Sequence, residues 1–268
     1  MAIIKQQAGE LVYFTDEQIP VPHAFTTRLG GVSTGVYESL NLSLTLGDDP
    51  EPLFENYKRI TAVLGTRPEN LVCTRQVHED NVRTVGAADC LGDIFQPIDE
   101  AADGLVTAER EVALAMFSAD CIPILLWDAG TGAVGAVHAG WRSTVLDIAG
   151  IAVQKLESLG AKPQNIRAAI GPGIGPCCFE TDPEVPEAVK ALWGGEMPTC
   201  IRSLGGGKSA VDLKEVNRCL LLRAGLLPEH MTVSEYCTMC EPELFWSHRR
   251  SERVRGSQAA IILSRGNT

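Results

Sequence analysis

Apolar positions fall into short runs and helical stripes, with no one period dominating the chain. Over residues 50–64, Leu53, Phe54, Tyr57, Ile60 and Leu64 recur at helical spacing, and Asp48 or Asp49 is placed to cap the start. Residues 70–76 and 82–85 read as strands. Three further apolar runs, 112–117, 123–128 and 133–138, follow so closely that they predict neighbouring strands, with Asp128-Ala-Gly-Thr-Gly132 turning between the last two. Residues 141–159 read as one long helix stopped by Gly160. A strand at 167–170, a helix over 212–226 capped by Asp212 and ended near Gly225, and a strand at 259–263 complete the pattern. This order is neither strict strand–helix alternation nor all-β, so an α/β (α+β) fold with mixed sheets and outer helices fits best. No repeat and no Pro- or Ser-rich linker divides the chain, and residues 1–268 read as a single domain.

Composition narrows the function classes. The 268 residues are 45% hydrophobic and 21% charged, enough for a substantial core, which excludes general disorder. With 23 Lys+Arg against 34 Asp+Glu the net charge is −11, the opposite of the basic footprint that nucleic acid or an anionic membrane needs. No apolar run reaches the length of a membrane span, and the first residues carry no secretory pattern. Nine cysteines spread from Cys73 to Cys240 read as reduced thiols, so the expected compartment is the cytoplasm. Nothing implies a partner protein.

Three segments carry candidate chemistry: Gln76-Val-His78, Ser118-Ala-Asp-Cys121 and Val137-His-Ala-Gly-Trp-Arg142. Each puts a metal-competent side chain at a predicted strand end. Two imidazoles and a thiolate from His78, His138 and Cys121 leave the fourth position of a tetrahedral zinc open, the layout of a catalytic site. Taken singly, a strand-end histidine is more often hydrogen-bonded structure, and a buried free cysteine is commonly an inert hydrophobe. Spacing alone does not bring the three together, because 43 residues separate His78 from Cys121 and 17 separate Cys121 from His138.

Several motifs in order resemble one family. They are Thr26-Thr-Arg-Leu-Gly-Gly-Val-Ser-Thr-Gly35, Leu40-Asn-Leu42, Gln76-Val-His78, Ala102-Asp-Gly104, Ala119-Asp-Cys-Ile-Pro-Ile124, His138-Ala-Gly-Trp-Arg142 and Ile170-Gly-Pro-Gly-Ile-Gly-Pro-Cys-Cys-Phe-Glu180. They resemble the purine nucleoside phosphorylases once labelled laccase-like polyphenol oxidases, a family with a member described as a peptidoglycan editing factor. The resemblance runs from about residue 25 to 263. It implies a four-layer α/β/β/α fold and zinc bound by His78, Cys121 and His138. It also implies phosphorolysis of adenosine, inosine and methylthioadenosine, with adenosine deamination as a side activity. The segment Leu244-Phe-Trp-Ser-His-Arg-Arg250 departs from the family pattern: His248 replaces a tyrosine, and Ser251-Glu252 replaces Asp-Gly.

Roles for the remaining polar residues follow from that chemistry. Arg28 can present a planar fork to phosphate or a ribose hydroxyl, and is equally a surface charge in a turn. Asn41 can serve sugar or base, or satisfy its own backbone. Asp120 is a candidate to orient a water or carry a proton. Arg142, at a helix start where a cation opposes the dipole, needs a specific partner, either a structural carboxylate or substrate. Arg249 is a further substrate candidate in a basic run, 249–255, that otherwise reads as a solvated face. The glycine-proline loop at 171–176 lacks a P-loop's lysine and reads as a shaped wall of the site, with Cys177 and Cys178 as packing. Cys237-Thr-Met-Cys240 is a CxxC without an evident second pair.

Five histidines, none paired as His-x-His, exclude a four-copper oxidase. Two other classes stay open. One is a Cys-His hydrolase or amidase with Cys121 as nucleophile, on a fold that resembles that of a cysteine-dependent toxin deamidase. The other is a module that edits cell-wall precursors.

Overall fold

The computed structural model describes residues 2–195, 199–251 and 254–266. Glu252, where the family's Asp-Gly is replaced, and Arg253 of the basic run lie outside them. The chain opens with strands β1 (Ile3–Ala8), β2 (Leu11–Asp16) and β3 (His23–Thr26), then helix α1 (Pro50–Val63). Short strands β4 (Leu71–Val72) and β5 (Val82–Thr84) lead to β6 (Gly104–Thr107), β7 (Ala113–Ser118), β8 (Ile122–Asp128) and β9 (Val134–Ala139). Helices α2 (Trp141–Val145) and α3 (Ile148–Ser158) precede β10 (Ile166–Ile170), β11 (Glu180–Thr181) and α4 (Glu184–Ala191). Last come β12 (Ile201–Gly205), β13 (Lys208–Val211), α5 (Leu213–Arg223), β14 (Met231–Val233), α6 (His248–Ser251) and β15 (Gln258–Leu263).

Two mixed six-stranded sheets form, ordered β1-β2-β3-β15-β7-β4 and β14-β10-β8-β9-β6-β5, with a three-stranded ribbon β11-β13-β12 beside them. Alternation along each strand explains how they stack. On β7, Leu114 and Met116 join Phe14, Phe25, Leu125 and Ala136 between the sheets, whereas Ala113 and Ala115 face Leu53, Tyr57 and Ile60 of α1. On β8 and β9, Ile122, Ile124 and Val137 turn the other way, onto Val153, Leu156 and Leu220 of α3 and α5. The layers are therefore helix, sheet, sheet, helix, as the resemblance implied. Strands buried on both faces read as continuous apolar runs, which is why 112–138 was legible. Each large apolar side chain in the shared interior contributes roughly 1.5–3 kcal/mol by leaving water.

Three local expectations are corrected. The helix expected over 141–159 is two helices, broken where Asp147 adopts φ 62°. The Asp147 carboxylate accepts from Gly150 N–H at 3.2 Å and so caps α3. The strand expected over 70–76 stops at Val72, and the backbone beyond it leaves the sheet toward His78. At α1, Asp49 holds the cap position without a side-chain bond, and Pro50 presets the first turn instead. The Asp48 carboxylate serves Ser33 and Asn41. By contrast Asp212 caps α5 as expected, accepting from Lys214 and Glu215 N–H. β1–β3, the ribbon and α4 were not among the elements expected from the sequence.

Candidate functional site

Sheet order positions the chemistry. β6, β9 and β8 are adjacent, with Gly104 opposite Val137 and Pro123 opposite His138. That register gathers Asp103 (just before β6), His138 (on β9) and Cys121 (just before β8) at one end of the sheet. Ser118 Oγ donates to the Cys121 carbonyl at 2.5 Å and closes the β7–β8 link, in which Asp120 takes φ 92°. His78 arrives from another direction. Gln76 gives its amide to the backbone of Phe117 as a strand neighbour would, at 2.7 and 2.8 Å, and so docks the segment on β7.

The ligand atoms of His78, Cys121 and His138 lie within 4.8 Å of one another. Cys121 Sγ stands 3.8 Å from His78 Nε2, against about 3.6 Å for an S···N edge around tetrahedral zinc. Gly140 is required for this approach, since a Cβ there would stand 2.8 Å from the His78 ring and 3.2 Å from Cys121 Sγ. The donor set therefore fits a borderline-soft ion with one position left open.

Asp103 organises both imidazoles. One carboxylate oxygen lies 2.8 Å from His138 Nδ1, which turns Nε2 toward the shared centre. The other accepts from Val77 and Glu79 N–H, each at 3.0 Å, and so holds His78 in its left-handed conformation at φ 63°. Burial alone would raise Asp103, but the His138 hydrogen bond and two backbone donors hold it below the usual carboxylate range. Burial would likewise raise the Cys121 thiol; the charge and hydrogen bonds of His138 and His78 outweigh it and bring it down to about 6. Burial opposes charge on His138, yet Cys121 and Asp103 lift it to about 9. Each shift draws on the other group, so their mutual attraction favours the thiolate–imidazolium pair.

His78, Cys121 and His138 form the floor of a cavity of about 720 Å³. Trp141, Phe117, Phe179 and Ile174 give it apolar walls, while Arg249 and Arg255 bring positive charge.

Residues 22–265 match the family described as multi-copper polyphenol oxidoreductase laccase. The chain belongs to this family. It is 41% identical over 243 residues to a protein of Geobacillus stearothermophilus named purine nucleoside phosphorylase YlmD, covering 88% of each chain. A Deinococcus radiodurans protein named purine nucleoside phosphorylase is 40% identical over 244 residues, covering 91% of this chain and 89% of that one. The crystal structure of the Geobacillus YlmD superposes with a TM-score of 0.90 at 37% identity, covering 98% of this chain and 100% of that one. Of the histidines among the described residues, His78 and His138 are the two that converge. Among the described residues, the metal-competent groups are the His78–Cys121–His138 set and a cluster of four cysteines.

Not every expected residue reaches the cavity. Asp120 and Arg249 line it; Arg28, Asn41 and Arg142 do not. Arg28 lies 4.1 Å over the Trp246 ring, its guanidinium donating to the carbonyls of Glu38 and Pro242. Asn41 is fully buried and joins Ser43, Ser257 and Asp48, bracing the wall from behind. Arg142 is exposed, its guanidinium 4.3 Å from the Trp141 ring, so its partner is aromatic. Asp120 has both oxygens engaged: Thr238 donates to one, Ser247 Oγ and Arg249 N–H to the other. It anchors the C-terminal rim.

The basic run is not simply a solvated face. Arg249 and Arg255 line the cavity, and Arg250 is fixed by the carbonyls of Thr238, Met239 and Phe245. Sequence reasoning assigned no role to Asp103, although Ala102-Asp-Gly104 was among the resembling motifs. A carboxylate immediately before an apolar strand was the available signal.

Proposed function

We propose that this chain is a zinc-dependent purine nucleoside phosphorylase acting on adenosine, inosine and methylthioadenosine, with adenosine deamination as a lesser activity. The observation that carries the reading is a three-donor His-Cys-His set, oriented by Asp103, on the floor of a cavity with aromatic walls and an arginine rim. His78, Cys121 and His138 would hold the ion, which when bound supplies a Lewis acid beside the reacting groups.

In phosphorolysis a phosphate oxygen bonds to the ribose anomeric carbon as the N-glycosidic bond breaks. Its electron pair leaves on the purine, and the sugar passes through oxocarbenium character, by analogy with glycoside cleavage. Arg249 and Arg255, both on the cavity wall, would hold the phosphate by charge-assisted bonds. Phe179 and Trp141 offer apolar surfaces for the purine, and their walls exclude competing water. Arg28 and Asn41 would act by bracing the loops behind the site, and Arg142 by holding Trp141. Asp120 would keep Arg249 in place through the latter's backbone N–H, 2.7 Å away. Deamination would use the same floor, with water replacing the amino group at purine C6 and ammonia leaving.

None of the described helices is long and apolar enough to cross a membrane. Nine free cysteines and an acidic balance support a cytoplasmic enzyme without nucleic-acid or membrane partners. The test is incubation of inosine, adenosine or methylthioadenosine with phosphate, following ribose 1-phosphate (or its methylthio analogue) and free base. Product formation that stops on chelation and returns with zinc supports the reading; turnover indifferent to chelation opposes it.

One observation favours a second reading. Cys121, His138 and Asp103 also form a nucleophile–base–orienter chain of the kind that serves a cysteine hydrolase. Protein isolated without metal and inactivated by a thiol reagent would favour it.

A further inference from the structure

The sequence shows Cys237-Thr-Met-Cys240 as a CxxC with no partner pair, and reads Cys177-Cys178 as packing. The structure brings all four together, with their sulfurs within 4.8 Å of one another. Cys240 Sγ lies 3.5 Å from Cys177 Sγ and 3.4 Å from Cys178 Sγ. Four thiolates around tetrahedral zinc stand roughly 3.8 Å apart, given Zn–S bonds near 2.3 Å. All four are free thiols.

The backbone around them forms two facing knuckles. Cys178 N–H and Phe179 N–H both donate to the Gly175 carbonyl, at 3.0 and 2.9 Å, curling the first pair round. Cys240 N–H donates to the Cys237 carbonyl at 3.1 Å, the turn that puts the thiols of a CxxC on one side. A parallel bridge between Gly173 and Cys237 aligns the knuckles. Gly175 N–H points at Cys237 Sγ from 3.2 Å, a bond that favours the thiolate. Gly175 also leaves the space, for a Cβ there would stand 3.2 Å from Cys177 Sγ and 3.3 Å from Cys237 Cβ.

A buried cation supplies a second, independent observation. Lys214 is 5% exposed, and its ammonium donates to the carbonyls of Ser234 and Tyr236 at 2.9 and 2.6 Å. Among the described residues no carboxylate pairs with it at contact distance. Burial opposes its charge; Asp212 favours the ammonium most, and the charges of Cys237 and Cys177 add to that. Zinc with four thiolates carries a net charge of 2 − 4 = −2, which this cation would partly offset.

We propose that Cys177, Cys178, Cys237 and Cys240 form a second zinc site, fully ligated by protein, that fastens the loop after β10 to the segment after β14. Binding displaces the remaining thiol protons to solvent and changes no oxidation state. With four protein donors the ion has no position for substrate, so its work is structural. It stands outside the catalytic floor yet holds the rim. Thr238 between the cysteines donates to Asp120 at 2.6 Å. Arg249 donates to the Glu180 carbonyl at 3.1 Å, just past Cys178. The proposal is independent of the nucleoside reading and survives its failure.

The decisive protein is full-length chain carrying His78→Ala and Cys121→Ala, purified under reducing conditions without added metal. About one zinc per chain is expected. Adding Cys177→Ser and Cys240→Ser should remove it, with folding checked by circular dichroism. Replacing that zinc with cobalt(II) should give the intense visible absorption of a four-thiolate ion. A folded first-site variant with no metal, or one binding iron instead of zinc, overturns the proposal. So does zinc that persists after the second pair of substitutions, or a disulfide among the four in protein alkylated at lysis. Should the four-fold variant not fold, the cobalt spectrum of the first-site variant decides.

Discussion

Asp103 and Asp120 are both buried carboxylates with every oxygen engaged, yet they organise different regions. Asp103 bonds to His138 and to the backbone on either side of His78, so it sets the floor of the cavity. Asp120 bonds to Thr238, Ser247 and Arg249, so it sets the rim. On the floor, Cys121 and His138 are carried by the ends of adjacent strands whose register leaves little freedom, and His78 by a segment clasped to them through Gln76 and Asp103. The rim is carried by loops that depend on side-chain clasps. Precision at the His-Cys-His set comes largely from the sheet, and the shape of the cavity comes from loops fastened to it.

Substitutions should separate the two regions. Asp103→Ala removes the partner of His138 and of the Val77 and Glu79 N–H groups, and should weaken metal binding by up to ~100-fold. Metal titration by competition with a chelator measures this, and unchanged affinity would make Asp103 a bystander. On the rim, Arg249→Ala should leave zinc content intact and raise KM for phosphate roughly tenfold, the loss of one charge-assisted bond. Steady-state kinetics at varied phosphate test it; a fall in kcat with KM unchanged would place Arg249 elsewhere in the reaction. Gly140→Ala returns to the floor. Its Cβ would stand 2.8 Å from the His78 ring and 3.2 Å from Cys121 Sγ, so the ring must shift, for an expected loss of metal affinity of about tenfold. An affinity equal to wild type would mean that His78 moves freely.

The smallest effect lies outside both regions. His23 Nε2 accepts from Asp16 N–H at 2.7 Å, and Nδ1 donates to the Val21 carbonyl, an arrangement that needs neutral imidazole. Burial lowers its pKa from 6.5, against opposing help from Val21 and Asp16. The unfolded chain therefore takes up the proton first, and stability falls as pH drops below 6.5 toward the folded value. Urea unfolding across that range should show a shallower acid slope for His23→Gln, and equal slopes would remove His23 as the cause.

Legibility in the sequence follows the same division. Strands 7 to 9 were readable because both faces are buried, leaving unbroken apolar runs between turn residues. Cys121 and His138 stood out because they end those runs beside glycine or aspartate. The resemblance, rather than spacing, joined them to His78. Arg28 and Asn41 drew attention as polar residues in a glycine-rich segment, but their bonds run to carbonyls and buried amides behind the cavity. The break at Asp147 was hidden because its flanks keep helical spacing and only the residue's own left-handed backbone divides them. The four-cysteine cluster was hidden because its pairs lie about 60 residues apart in sequence and the first pair is adjacent instead of spaced.

The most direct test measures ribose 1-phosphate release from inosine, together with zinc content, on the same preparations of wild type and Cys121→Ala. One zinc fewer per chain, with phosphorolysis reduced at least ~10³-fold, is the expected result for an ion at the heart of the reaction. Phosphorolysis that survives in Cys121→Ala, or zinc-replete wild type that releases no ribose 1-phosphate, contradicts it.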